Sequence, residues 1–274
     1  MSTPAITELA LIAGKGSYPL LLAQSARRQG VTRLVAVAFR GETERSLAKL
    51  VDEIHWIYLG QLGRALDVLK ATGIRQAVMA GQITPTYLFN LRMDAALLAF
   101  LARLRERNAH TIFGAAAQEL QAIGVELLPA HQFMEHAMPA PGLLSRRAPT
   151  AAEEADIRLG LRVAKVTSGL EIGQTVVVKD GVILAVEALE GTDQAILRGG
   201  KIGGPGVVVV KVAKEGHDMR FDIPVIGTRT MKVIKKVKAS VLALQAGKAI
   251  ILERDQVVRA ANALGVCLLV AERT

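Results

Sequence analysis

The stretch ELALIAGKGSYPLLLAQSARRQGVTRLVAVAF, residues 8–39, decides how the chain is read. It opens on an unbroken apolar run that stops at Gly14. A segment with leucine and alanine at helical spacing follows and stops at Gly30. A second unbroken apolar run begins at Leu34. Runs that are apolar on successive positions are strands covered on both faces, and a helix between two of them is the crossover of a parallel pair. The pattern continues through TERSLAKL (43–50), EIHWIYL (53–59), LGRALDVLKATG (62–73) and RQAVMAG (75–81), which alternate helix and strand. Four strands with covering helices predict a Rossmann-like, doubly wound α/β domain.

Beyond residue 81 the rhythm changes. NLRMDAALLAFLARLRERN (90–108) repeats Met93, Leu97, Leu101 and Leu104 at helical spacing, and a second helix and a short strand, VELLPA (125–130), follow. The proline-bearing segment after it has little periodicity and reads as a linker. Further on, QTVVVKDGVILAVEA (174–188) sets Asp180-Gly181 between two apolar runs, a hairpin signal. GVVVVKVA (206–213) is a buried strand, and helices alternate with short strands to the end. The expected organisation is a Rossmann-like nucleotide- or phosphate-binding domain over 1–135, a linker over 136–150, and a mixed α/β catalytic domain over 151–274.

Composition narrows the function classes. Aromatics are only 4% of the 274 residues, too few for the stacking platforms that bind single-stranded nucleic acid. No helix-turn-helix or zinc pattern is present either, so no nucleic-acid partner is expected. The net charge of +9 is spread through both halves and suits an anionic partner. One cysteine, Cys267 in an apolar run, excludes an internal disulfide and reads as a buried, inert thiol. The start lacks a basic region with a cleavage site, and AALLAFLA (95–102) is far short of the ~20 residues of a spanning helix. The expectation is a cytoplasmic protein that can rest on a membrane surface.

Four stretches carry candidate chemistry. Gly14 and Gly16 stand where the first strand meets its helix, where glycine lets backbone approach a phosphate at a helix N-terminus. The third glycine of the dinucleotide fingerprint is missing, since position 19 is Pro19. A tight turn with no ligand explains the same residues. Gly81 and Gln82 end the fourth strand and could line the same crevice, or serve only as a connection. In EALEGTDQ (187–194), Thr192 and Asp193 are good helix caps as well as candidate ligands.

The fourth stretch is HDMRFDIPVIGTRT (217–230), where Asp218, Arg220 and Asp222 alternate after the valine run. If the segment is extended, all three share a face. Carboxylates suit Mg²⁺, and arginine suits a phosphate. Asp218 and Asp222 are candidates for the metal ligand and the water-orienting acid of a phosphoryl-transfer site, with Asp193 as a further metal candidate. Lys211, Lys214, Gly227 and Thr228 are candidate phosphate-binding positions beside them. A surface ion-pair strip is the plain alternative.

Taken together, LIAGKGSYPLLLA, residues 172–193 and KEGHDMRFDIPVIGTRT resemble the LpxI-type UDP-2,3-diacylglucosamine pyrophosphatases of bacterial lipid A synthesis. The resemblance covers nearly the whole chain. It implies a Rossmann-like first domain, a distinct second domain, and substrate held between them. It implies hydrolysis of the diphosphate of UDP-2,3-diacylglucosamine with a divalent metal, commonly Mg²⁺, giving UMP and 2,3-diacylglucosamine 1-phosphate (lipid X). The essential aspartate implied is Asp218 or Asp222, with Asp218 preferred. The partners implied are that lipid substrate and the inner-membrane surface, and the leucine-rich helix offers a homodimer face, plain core, or cover for acyl chains. Two other classes fit the same residues: a nucleotide-sugar transferase, and a non-catalytic binder of nucleotides or acidic lipids.

Overall fold

The computed structural model describes residues 6–83, 93–106, 109–214, 218–221 and 223–272. They form two compact units. The first holds residues up to Met134 and takes back Asp218–Asp222; the second holds Glu135–His217 and Ile223–Thr274.

In the first unit β1 (Glu8–Ala13), β2 (Arg33–Phe39), β3 (Glu53–Ile57), β4 (Gln76–Ala80) and β5 (Glu126–Leu127) form one sheet in the order β3-β2-β1-β4-β5. Every pairing is parallel. The unbroken apolar runs explain it: Leu9, Ala10, Leu11 and Ala13 of the central strand are fully buried. The helices α1 (Tyr18–Arg28) and α2 (Leu62–Thr72) are the crossovers. The stretch 43–50 holds a single short 3-10 turn, Arg45–Lys49, in which Leu47 is the buried residue.

The leucine-rich stretch is shorter than its periodicity predicts. α3 runs Ala95–Ala102, because the Asp94 carboxylate accepts the Leu97 N–H at 2.7 Å and caps the helix there. Phe100 and Leu101 are buried, whereas Ala95, Ala96, Leu98, Ala99 and Ala102 are exposed, so α3 reaches the core along one side only. α4 (Ala109–Ala122) completes the layer.

The second unit has a six-stranded sheet in the order β6-β13-β11-β9-β7-β8. Its centre is parallel: β9 (Val208–Lys211), β11 (Val241–Gln245) and β13 (Cys267–Ala271). Around it β7 (Thr175–Lys179), β8 (Val182–Val186) and β6 (Gly142–Leu143) run antiparallel to their neighbours. Residues 136–150, read as a linker, thus contain an edge strand of this sheet. α5 (Ala151–Gly169) covers one face through Ile157, Leu161 and Ala164. α6 (Thr192–Gly203), α7 (Thr228–Val237) and α8 (Arg254–Leu264) cover the other through Ile196, Ile234 and Val257. β10 (Val225–Ile226) and β12 (Ile250–Ile251) form a separate two-residue parallel pair. The predicted hairpin is present, with positive φ at both Asp180 and Gly181. Buried Asp156 on α5 accepts the N–H of Asp180 at 2.9 Å and of Gly181 at 2.7 Å, which locks that turn to the helix.

Burial pushes the Cys267 thiol up to about 11. It should resist iodoacetamide at about pH 8 in the native protein and react once the chain is unfolded in guanidinium. Packing supplies a second check. A Cβ on Gly199 of α6 would lie 2.6 Å from the Val177 Cβ, whereas on Gly114 of α4 it would meet nothing described within 4 Å. Gly199→Ala is therefore expected to lower stability by about 1–3 kcal/mol, and Gly114→Ala to raise it by about 0.5–1 kcal/mol. Urea unfolding of both variants tests the two signs.

Candidate active site

In the first unit the strand order reverses between β1 and β4, and ligands of such sheets bind outside the carboxyl ends of the strands at that place. Gly14, Gly16, Gly81 and Gln82 all lie there. The two loops bond to each other: Lys15 N–H donates to the Gln82 carbonyl at 2.7 Å, and Gln82 N–H to the Lys15 carbonyl at 3.1 Å. This contact accounts for two of the glycines without a ligand. A Cβ on Gly14 would sit 2.5 Å from the Gln82 carbonyl oxygen, and one on Gly81 2.8 Å from Gly14 backbone. Gly16 differs, with φ +93 and nothing described within 4 Å of a Cβ. It is the glycine that leaves space beside the loop.

Asp218 and Arg220, in the segment that the chain returns to the first unit, form a turn and not a strand. The Phe221 N–H donates to the Asp218 carbonyl at 3.2 Å, and the Arg220 N–H to Asp218 Oδ1 at 3.0 Å. The shared face expected from an extended segment is thus replaced by an Asx-type turn. Within it Arg220 still grips Asp218, with Nε 2.9 Å from Oδ1 and Nη2 2.6 Å from Oδ2. These bonds raise the Arg220 guanidinium above its ordinary pKa. Phe221 anchors the turn, its ring centroid 5.6 Å from that of Phe113, and the Ala130 N–H donates to the Met219 carbonyl at 2.7 Å. Asp222 and His217 lie outside the described residues.

The second unit gathers its polar residues at the carboxyl end of β9. Lys211 closes that strand and is 7% exposed, so its ammonium needs an oxygen partner. It donates to Thr192 Oγ1 at 2.6 Å; Thr192 donates in turn to Glu187 Oε1 at 2.9 Å. The other Glu187 oxygen is buried with no hydrogen-bond partner among the described residues. Next to Thr192, Asp193 Oδ2 accepts Arg229 Nε at 2.7 Å, which ties the first turn of α6 to that of α7. Thr228, also in the first turn of α7, donates to Glu253 Oε2 at 2.7 Å, and Gly227 precedes it as the N-cap. Lys214 is ion-paired with Glu171.

The predicted residues therefore fall into two sets. Gly14, Gly16, Gly81, Gln82, Asp218 and Arg220 belong to the first unit; Thr192, Asp193, Lys211, Lys214, Gly227 and Thr228 belong to the second. Assigning Asp218 and Arg220 to the C-terminal domain overlooked Phe221, an aromatic between charges that packs against the first unit's core. Arg229, Glu187 and Glu253 are absent from the predicted site. The signal for Arg229 was its place in the first helical turn after Gly227, where a cation is opposed by the helix dipole and calls for another explanation.

As a metal centre, the donors present fit a limited role. No group of three His, Cys, Asp or Glu side chains gathers among the described residues. Mg²⁺ commonly takes one or two carboxylates and completes its shell with water and phosphate, and a carboxylate bonded by arginine keeps acceptor capacity. Asp218 meets that description.

Two family models now bear on these residues. The LpxI N-terminal domain matches residues 8–137 and the LpxI C-terminal domain residues 140–269. The chain belongs to the LpxI family. A relative from Caulobacter vibrioides named UDP-2,3-diacylglucosamine pyrophosphatase LpxI is 28% identical over 273 residues, covering 96% of each chain. Among solved structures, the biotin carboxylase domain of the Hydrogenobacter thermophilus 2-oxoglutarate carboxylase matches 74% of this LpxI-family chain and 37% of its own. At 12% identity and a TM-score of 0.30, that likeness carries no argument.

The contact between the first unit's loops is testable. Gly81→Ala combines φ +95 with backbone at 2.8 Å and is expected to destabilise by more than about 2 kcal/mol. Gly16→Ala meets no described neighbour and should cost only the left-handed backbone, about 1–2 kcal/mol. Amide exchange reads the difference: Lys15 and Gln82 should lose protection in the first variant and keep it in the second.

Proposed function

We propose that this chain hydrolyses the diphosphate of UDP-2,3-diacylglucosamine in lipid A synthesis, releasing UMP and 2,3-diacylglucosamine 1-phosphate. The observation that carries the reading is a relative of that name aligned over 96% of both chains, with the models of both LpxI domains matched in order.

The reaction adds water across the P–O–P link. The water oxygen bonds to one phosphorus as the bridging bond to the other breaks, giving two phosphomonoesters, and the two protons of the water are carried by those monoesters or released as they ionise. Negative charge on the diphosphate opposes the attack, so cations and fixed donors govern the rate. Lys211, held by Thr192, supplies a desolvated cation from the second unit. Asp218 supplies a carboxylate whose direction Arg220 holds; its role is to orient water or metal. Mg²⁺, held by Asp218 and Asp222 with water and substrate oxygens, would neutralise the diphosphate charge. Gly16 leaves room for the backbone to approach a phosphate or the uridine.

The diacylated substrate also suits peripheral contact with the inner-membrane surface. Val166, Leu170, Ile172 and Leu189 are all exposed in the second unit. No helix among the described residues is long and apolar enough to cross a membrane.

Purified protein with UDP-2,3-diacylglucosamine and Mg²⁺ should yield UMP and the sugar 1-phosphate, and EDTA should stop it. Asp218→Ala should lower kcat by at least about 100-fold, in line with loss of a metal or water-orienting group. Release of UDP in place of UMP would establish a transferase; UDP-sugar binding with no turnover in any divalent metal would leave a binding protein.

A further inference from the structure

We infer that Arg229 is an anion-contacting side chain of the second unit's site and that Asp193 is the residue that positions it. The identity of the anion, a nucleoside diphosphate group, rests on the function proposed above.

The geometry begins with two helix starts. Asp193 lies in the first turn of α6 and Arg229 in the first turn of α7. Asp193 accepts from the Nε of Arg229 at 2.7 Å. Bonded there, the guanidinium keeps both Nη groups for another ligand, and no described residue takes a hydrogen bond or ion pair from them. A guanidinium fork of this kind matches two phosphate oxygens.

Structural need does not account for the arginine. Its side chain is 68% exposed, so as an ion pair it stabilises little. A cation in the first turn of a helix also works against the helix dipole, which favours anions there. An arginine kept at such a place, and held by a carboxylate that is itself 24% exposed, is suited to meet an anion. Its neighbourhood agrees. Thr192, adjacent to Asp193, takes the hydrogen bond of buried Lys211. One turn of α6 thereby fixes two cations, Lys211 through Thr192 and Arg229 through Asp193.

The test uses the full chain and UDP as a water-soluble probe, titrated by calorimetry without added metal. Arg229→Ala should weaken UDP binding at least about tenfold, as expected for loss of a charge-assisted bidentate contact. Arg229→Lys, which keeps charge but loses the fork, should also weaken it. Asp193→Asn should weaken it several-fold, and adding it to Arg229→Ala should change nothing more. Unchanged thermal midpoints exclude misfolding, since neither side chain is core. Turnover of UDP-2,3-diacylglucosamine against Mg²⁺ concentration gives the second readout: Asp193→Asn should leave the half-activating concentration as in wild type.

UDP affinity unchanged in Asp193→Asn or in Arg229→Ala overturns the inference, as does a wild type that does not bind UDP. A raised Mg²⁺ requirement in Asp193→Asn with normal UDP affinity returns Asp193 to the metal. A wild type that binds UDP but turns nothing over removes the hydrolase reading, and the binding series still decides the Arg229–Asp193 couple.

Discussion

An ammonium group at the end of four consecutive valines cannot be left without oxygen, and Thr192 supplies it at 2.6 Å to Lys211. Much of the second unit follows from that bond. It fixes the start of α6 at the carboxyl end of β9. The start of α6 fixes Asp193, and Asp193 holds Arg229 at the start of α7. Glu187 receives the Thr192 hydroxyl and closes the chain of donors. The strand, both helix starts and the charges at the site are one connected structure, so a change in any of them is felt by the others.

The first unit is organised by backbone rather than by side chains. Its sheet reverses order at β1 and β4, and two hydrogen bonds between Lys15 and Gln82 close the gap between the loops that follow those strands. Gly14 and Gly81 are needed because peptide groups meet there at distances no Cβ tolerates. Glycines at the end of a strand are a familiar sign of a phosphate site, yet here two of them are explained by loop meeting loop. Gly16 alone of the three has no described neighbour within 4 Å of a Cβ. The distinction depends on atoms brought together from positions 67 residues apart, Lys15 and Gln82, which no local pattern reveals.

The turn at Asp218 shows where local inference fails. Alternation of charged residues predicts a shared face only on an extended backbone. The Asp218 side chain instead bonds to the Arg220 N–H and folds the segment, after which the ion pair forms within the turn. Phe221 then decides which unit receives the segment. An aromatic side chain buries more apolar surface than any neighbour in that turn, and the core around Ile12 and Met79 accommodates it.

Patterns that are local in physical origin were determined by sequence alone. Unbroken apolar runs dictate covered parallel strands, glycine stops end the helices, and Asp180-Gly181 makes its hairpin, because burial on both faces and backbone sterics act within a few residues. Motif order over nearly the whole chain also identified the family. The sequence likewise singled out Lys211, Thr192, Asp193 and Asp218 as candidates. Tertiary structure alone decided their partners: Thr192 for Lys211, Arg229 for Asp193, Arg220 for Asp218, and the first unit for Phe221. Hydrogen bonds and ion pairs are fixed by distances of a few ångströms, and only the packed helices and strands bring residues 19 or 36 positions apart within that range.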